Sequence, residues 1–207
     1  MTASTDRAAP LAGWAGRFSE ASASAAQFSI REVPLAAQIN LRGDPAEAAF
    51  MTRARGALGC DLPATANTWS GNAERGVLWL GPDEWLAVAP AGENDALAAR
   101  LRSDLAGLHH SVVDLSANRT ILEIGGTDAR IVLAKGCPLD LHSAVFAPGQ
   151  CAQSLIAKSQ AILQCTGDAT FRLFVRISFA NYLTEWLLDA AAEQRASREA
   201  GMPGLRL

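Results

Sequence analysis

The residues most able to do chemistry are few and scattered. Asp83 and Glu84 stand side by side in LWLGPDEWLAVAP, residues 78–90, between Trp79 and Trp85. A carboxylic acid against aromatic rings can act as a general acid when the rings desolvate it. Gly81 and Pro82 just before it mark a tight turn, and turn tips are wet, so a solvated turn is the expected reading. His109 and His110 begin an extended run, where neighbours point to opposite faces and do not readily share one metal ion. His142 stands alone in a loop. Asp114 and Arg119 flank a second turn and are expected to form a structural ion pair. Cys60, Cys137, Cys151 and Cys165 include no C-x-x-C pair and have no histidine at ligand spacing. They are expected as buried free thiols, with no metal site.

Standard catalytic signatures are absent: no G-x-S-x-G elbow, no phosphate loop, no G-x-G-x-x-G and no H-E-x-x-H. The formal net charge is -3 and the basic residues are spread along the chain, which argues against nucleic acid and against an anionic membrane surface. No apolar stretch reaches the roughly 18 residues of a membrane span. The first residues lack the pattern of a secretory signal, so a cytoplasmic location is expected. With 49% hydrophobic and 19% charged residues, the chain has a globular balance, and 207 residues suffice for one core or two small lobes.

The elements that must position these residues follow from periodicity. Residues 1–32, rich in Ala, Ser and Thr, read as an N-terminal arm whose aromatics Trp14, Phe18 and Phe28 need a surface, either this chain's body or a partner. Residues 38–41 read as a strand, and Asp44-Pro45-Ala46-Glu47 as the start of a helix that Gly56 closes. Residues 77–80 and 85–89 form a hairpin around the acidic turn. If Trp79 and Trp85 share a face, they offer a broad apolar area for a core or a protein interface. Leu97, Leu101, Leu105 and Leu108 place a helix over 93–106. Residues 111–115 and 120–124 read as a second hairpin, and Thr127 as the cap of a helix ending at Gly136. Three strands follow near 151–157, 161–165 and 170–176. A closing helix capped by Ser178 carries Phe179, Tyr182, Leu183, Trp186, Leu187 and Ala190 and frays after Glu193. Paired strands alternating with single helices give an α+β fold of two packed ferredoxin-like lobes with mixed or antiparallel sheets. The body spans 33–193, with lobes near 35–110 and 111–193 that can intertwine, and 194–207 is a polar tail.

At this point the chain resembles a known family. Asp114-Leu115-Ser116, Ile124-Gly125-Gly126-Thr127-Asp128-Ala129 and Pro148-Gly149-Gln150 stand in the order and spacing of the folate-dependent aminomethyltransferase superfamily of the glycine cleavage T-protein. The hairpin LWLGPDEWLAV and the helix RISFANYLTEWLLDA narrow the resemblance to gamma subunits of heterotetrameric sarcosine oxidase, over about residues 35–193. This resemblance implies the first two domains of the aminomethyltransferase fold. It also implies membership of an oxidoreductase complex acting on CH-NH donors. Such a complex demethylates sarcosine to glycine, forming hydrogen peroxide and either formaldehyde or methylenetetrahydrofolate. FAD, FMN, NAD, zinc and tetrahydrofolate are then expected in the alpha, beta and delta subunits, and no cofactor in this chain.

Departures from the catalytic superfamily assign the role. Its folate-dependent members carry an aspartate in the strand after the Pro-Gly-Gln loop, whereas LIAKSQAILQCT, residues 155–166, holds no acid, and Lys158 has the wrong charge to replace one. A third domain that helps enclose folate is also expected to be missing. Lys135-Gly136-Cys137 resembles a K-G-C motif of folate-binding iron-sulfur maintenance proteins, but Pro138-Leu139-Asp140 follows it, and it is taken as structural. The expectation is therefore a structural, cofactor-free subunit with no catalytic or metal-binding residue. Trp79, Trp85, Trp14 and Phe18 are its interface candidates. The alternatives are a free-standing tetrahydrofolate-binding aminomethyl or formyl transferase and an unrelated ferredoxin-like interaction module.

Overall fold

The computed structural model describes residues 8–33, 35–72 and 74–200. After a 3-10 turn at Ala12–Trp14 the elements are α1 (Ala15–Ala21), β1 (Ser29–Val33), β2 (Ala37–Gly43), α2 (Ala48–Leu58), β3 (Trp69–Gly71), β4 (Gly76–Gly81), β5 (Glu84–Ala89) and α3 (Asn94–Asp104). They continue as β6 (His110–Asp114), β7 (Arg119–Gly125), α4 (Ala129–Ala134), β8 (Cys151–Ile156), β9 (Ser159–Gly167), β10 (Thr170–Arg176) and α5 (Ile177–Glu199). The strands form two five-stranded sheets, β1-β7-β10-β9-β8 and β3-β4-β5-β2-β6, and their paired strands run antiparallel. The expected α+β class with antiparallel sheets holds. No described helix is long and apolar enough to cross a membrane.

Strand periodicity sorts the apolar residues into three cores. Leu163, Cys165, Leu173, Val175, Leu122 and Ile124 leave one face of the first sheet and meet α4, α5 and the N-terminal helix. Ile39, Leu41, Trp85 and Ala87 leave one face of the second sheet and meet α2 and α3. Between the sheets a smaller core joins Leu78, Leu86 and Val88 to Ile121, Cys151, Ile162 and Phe174. The two sheets thus pack inner face to inner face, with helices on both outer faces. Trp69 adds a polar tie, its indole Nε1 donating to the Cys165 carbonyl at 2.9 Å.

Several local expectations are corrected. Residues 111–115 and 120–124 are not a hairpin: β6 pairs with β2, and β7 pairs with β1 and β10. The cause lies in the connecting turn. Leu115 N donates to the Gln38 carbonyl and Ser116 Oγ accepts from Gln38 N, which holds the end of β6 on β2 and sends the chain across to the other sheet. Helix α2 runs past Gly56 and ends where Gly59 takes φ 75°, a left-handed conformation that glycine adopts without Cβ strain. Asp44 bonds Ala46 N in a turn before that helix instead of capping it, and Glu47 is the N-cap residue. Asp128, not Thr127, precedes α4, and Arg176, not Ser178, precedes α5.

The N-terminal segment is integrated with the body. Strand β1 crosses the expected arm boundary at 32/33 and pairs with β7 from Ser29↔Gly125 to Val33↔Ile121. The expected arm thus gives an edge strand to the second lobe's sheet. Helix α5 continues to Glu199, because the Arg198 guanidinium bonds the buried carboxylate of Asp128 and Gln194 is buried. The remainder of the expected tail, 201–207, lies outside the described residues, as do residues 1–7 of the expected arm.

Candidate functional site

The inner face of the first sheet extends beyond the cover of the second sheet at one end. Cross-strand register there aligns Arg119 with Arg176, Phe174 with both Ile121 and Ile162, Gln153 with Ile162, and Leu155 with Gln160. Directly opposed residues share a face, so these side chains line one surface. They enclose a groove of about 470 Å³, floored by Ile162 and Phe174 and carrying Arg119, Arg176, Gln153 and Gln160. No carboxylate is among its lining residues.

The two arginines set the groove's electrostatics. Arg119 is half-buried and its Nη1 has no hydrogen-bond partner among the described residues. Burial pulls its pKa down and repulsion from Arg176 pulls it further, while attraction from Glu84 partly opposes both. Glu84 itself accepts from Asn40 Nδ2 at 2.7 Å, on the inner face of the second sheet. The groove is therefore a cationic, half-apolar surface suited to holding an anion. It is unsuited to removing protons, since a guanidinium does not serve as a base near neutral pH.

At the opposite end of the same face, one carboxylate is shared by two guanidiniums. Arg31, Glu123, Arg172 and Gln164 are cross-strand neighbours. Glu123 accepts from Arg31 Nε at 2.9 Å and from Arg172 Nε at 2.8 Å. The Arg172 side chain is 7% exposed and that of Glu123 17%.

The residues singled out from sequence fall elsewhere. Asp83 makes an exposed ion pair with Arg42 at 2.8 Å and Glu84 is held by Asn40, and neither is among the residues that line the groove of Arg119. Asp114 accepts from Ser116 N and Oγ at 2.8 and 2.5 Å and from Asn94 Nδ2 at 2.9 Å, while Arg119 turns into the groove, so the expected ion pair between them is replaced. His110 Nδ1 bonds the Leu108 carbonyl, and His142 orders its own loop through Ala144 N. Among the described residues no cluster of three or more His, Cys, Asp or Glu could hold a metal ion.

The four cysteines are free thiols, and three are buried while Cys60 is partly exposed. Cys151, in the core between the sheets, has its pKa pushed up to about 12, chiefly by burial. Lys135-Gly136-Cys137 is structural, but for a different reason from the expected cap. A Cβ at Gly136 would lie 2.6 Å from the Trp186 ring and 2.9 Å from Ala157 N, so this glycine admits close packing of α4, α5 and the β8–β9 turn. Lys135 Nζ reaches the Ala190 carbonyl at 2.8 Å and Glu193 at 3.0 Å, pinning α5.

The aromatic interface candidates are mostly covered by this chain itself. Trp79 and Trp85 are directly opposed, hence on one face. Trp85 is 0% exposed, lies 5.9 Å from Phe50 and donates to the Pro63 carbonyl at 2.8 Å. It is a core residue, and of the two readings the interface one is corrected. Phe18 is 8% exposed in the core under α5, and Trp14 Nε1 donates to Asn181 Oδ1 at 2.9 Å. The arm's aromatics have found their surface on the body. Trp79 remains half-exposed. Sequence reasoning missed Arg176, whose pairing with Arg119 appears only once β7 and β10 are known to be neighbours.

Comparisons with known proteins agree with this geometry. Residues 42–193 match the family described as Sarcosine oxidase, gamma subunit family. A sarcosine oxidase subunit gamma from Arthrobacter sp. is 39% identical over 165 residues, covering 79% of this chain and 80% of that protein. The structure of heterotetrameric sarcosine oxidase from Corynebacterium sp. U-96 contains a chain 34% identical, with a TM-score of 0.82 and coverage of 90% of this chain and 95% of that one. The glycine cleavage system aminomethyltransferase T from Bartonella henselae shares the fold, with a TM-score of 0.59 at 21% identity over 86% of this chain and 52% of its own. The chain belongs to the sarcosine oxidase gamma subunit family.

Proposed function

We propose that this chain is the gamma subunit of a heterotetrameric sarcosine oxidase, an architectural component of a complex that oxidatively demethylates sarcosine to glycine. Hydrogen peroxide and either formaldehyde or methylenetetrahydrofolate are the other products. The alpha, beta and delta subunits are its partners, and they hold FAD, FMN, NAD, zinc and tetrahydrofolate. The observation that carries this reading is an aminomethyltransferase-like pair of sheets whose groove presents two guanidiniums and no carboxylate. Amine and folate chemistry requires a group that accepts a proton near neutral pH, and no side chain lining this groove does so.

Expression of the full chain alone, compared with its co-expression with the other subunits, tests the proposal. The isolated protein is expected to be colourless and without sarcosine oxidase activity, and a tagged copy is expected to recover a flavin-coloured complex. Sarcosine turnover by the isolated chain would overturn it. A groove of about 470 Å³ falls within the range of small-molecule sites and favours the transferase as the second reading. Titration of the isolated chain with tetrahydrofolate separates the two, since saturable binding without partners supports the transferase.

A further inference from the structure

The groove that holds Arg119 and Arg176 does not satisfy its own charges. We infer that it is the docking site for a carboxylate-bearing segment of a partner subunit, with an Asp or Glu side chain, or a chain terminus, seated between the two guanidiniums and flanked by apolar residues. The inference rests on the subunit reading above and names the surface through which it works.

Three observations support it. Arg119 and Arg176 are cross-strand partners on one face, so two positive charges are held side by side. Like charges directly opposed destabilise a strand pair, and a half-buried cation with a free donor has lost water without gaining a bond. No carboxylate lines the groove, and Glu84, the acidic group that Arg119 senses, is engaged by Asn40. Among the described residues, none that lines the groove balances this charge, and a carboxylate from a partner would do so.

The groove also has the apolar surround of a protein interface. Among the described residues six large hydrophobic side chains are exposed, and Leu155, Ile177, Phe179 and Tyr182 are four of them. Leu155 lines the groove, Ile177 follows Arg176 and donates its N–H to the Asn118 carbonyl, and the Tyr182 hydroxyl accepts from Lys158 N at the adjacent β8–β9 turn. Phe179 lies on the same first turns of α5. An arginine pair set among Leu155, Ile162 and Phe174, with exposed Ile177 next to Arg176 in the chain, has the composition of interface hot spots.

The test is assembly of the co-expressed complex with the variant Arg119→Glu/Arg176→Glu and with the milder Arg119→Leu. The control is Arg53→Glu, on the exposed side of α2. Affinity for the remaining subunits is expected to fall roughly thirtyfold or more in the double variant, and to fall in Arg119→Leu as well. Arg119→Leu should nevertheless raise the melting temperature of the isolated chain, a pairing of opposite signs that loss of folding cannot produce. Arg53→Glu should assemble as the unaltered chain does.

Equal affinity of the double variant and the unaltered chain overturns the inference and leaves the subunit reading standing. Failure of the unaltered chain to assemble overturns both. Two further results would place a different occupant in the groove and also overturn it. One is self-association of the isolated chain that the double variant abolishes. The other is tetrahydrofolate binding that the double variant abolishes while assembly is untouched.

Discussion

The two ends of one sheet face handle charge in opposite ways. About 13 Å apart along β7, the Arg31–Glu123–Arg172 row closes on itself, while the Arg119/Arg176 pair lacks a carboxylate from its own groove lining. Both rows use β7 and β10 in the same alternation, and the first also has Arg31 from β1. The difference includes a single acid: Glu123 stands between two arginines, and among the described residues that line the groove none plays its part between Arg119 and Arg176. A subunit that completes one end of its face within itself and leaves the other cationic is stable alone at the first and built for contact at the second.

The shared cores set the scale against which the two ends are judged. Replacing Trp85 with alanine empties the helix-covered core beside Phe50 and frees the Pro63 carbonyl. The expected loss is about 4 kcal/mol by urea denaturation, with assembly falling because the chain unfolds. Next, Glu123→Ala opens the closed end. It removes the carboxylate that the nearly buried Arg172 shares with Arg31 and should cost about 3 kcal/mol in the same measurement. A loss as small as that of a surface ion pair would show that the two ends are not different in kind.

At the open end the sign reverses. Arg119→Leu is expected to stabilise the isolated chain by about 1 kcal/mol, because a poorly solvated charge with a free donor is replaced by an apolar side chain over Phe174 and Ile162. The smallest effect belongs to the acidic turn. Asp83→Asn breaks an exposed pair with Arg42 and should change stability by less than about 0.5 kcal/mol, with no change in sarcosine turnover by the assembled complex. A large activity loss there would restore Asp83 as a catalyst.

Much of this could be read from residue order, and the failures have physical causes. Strand and helix positions followed from periodicity, so the α+β class, the 77–89 hairpin and the three strands of the last third matched what folds. Pairing did not follow. Residues 110–114 and 119–125 have the alternation of a hairpin, and only the bonds from Gln38 to the 114–118 turn, made across 78 residues, send them to separate sheets. The same blindness to register hid the groove: Arg119 was matched with Asp114, near in sequence, instead of Arg176, near in space. Trp85 was legible as a large apolar side chain but not as a covered one, because the helix that buries it begins some thirty-seven residues earlier, at Ala48. Absence of an acid in residues 155–166 needed no structure, and the proposed non-catalytic role rests partly on it.

The central claim is that the groove joins subunits and performs no chemistry. Sarcosine turnover per assembled complex, measured on whatever fraction of the Arg119→Leu protein assembles with its partners, tests it most directly. The account predicts turnover per complex equal to that of the unaltered assembly, with only the assembled fraction reduced. Full assembly with turnover abolished would contradict it and place a working part of the reaction in this chain.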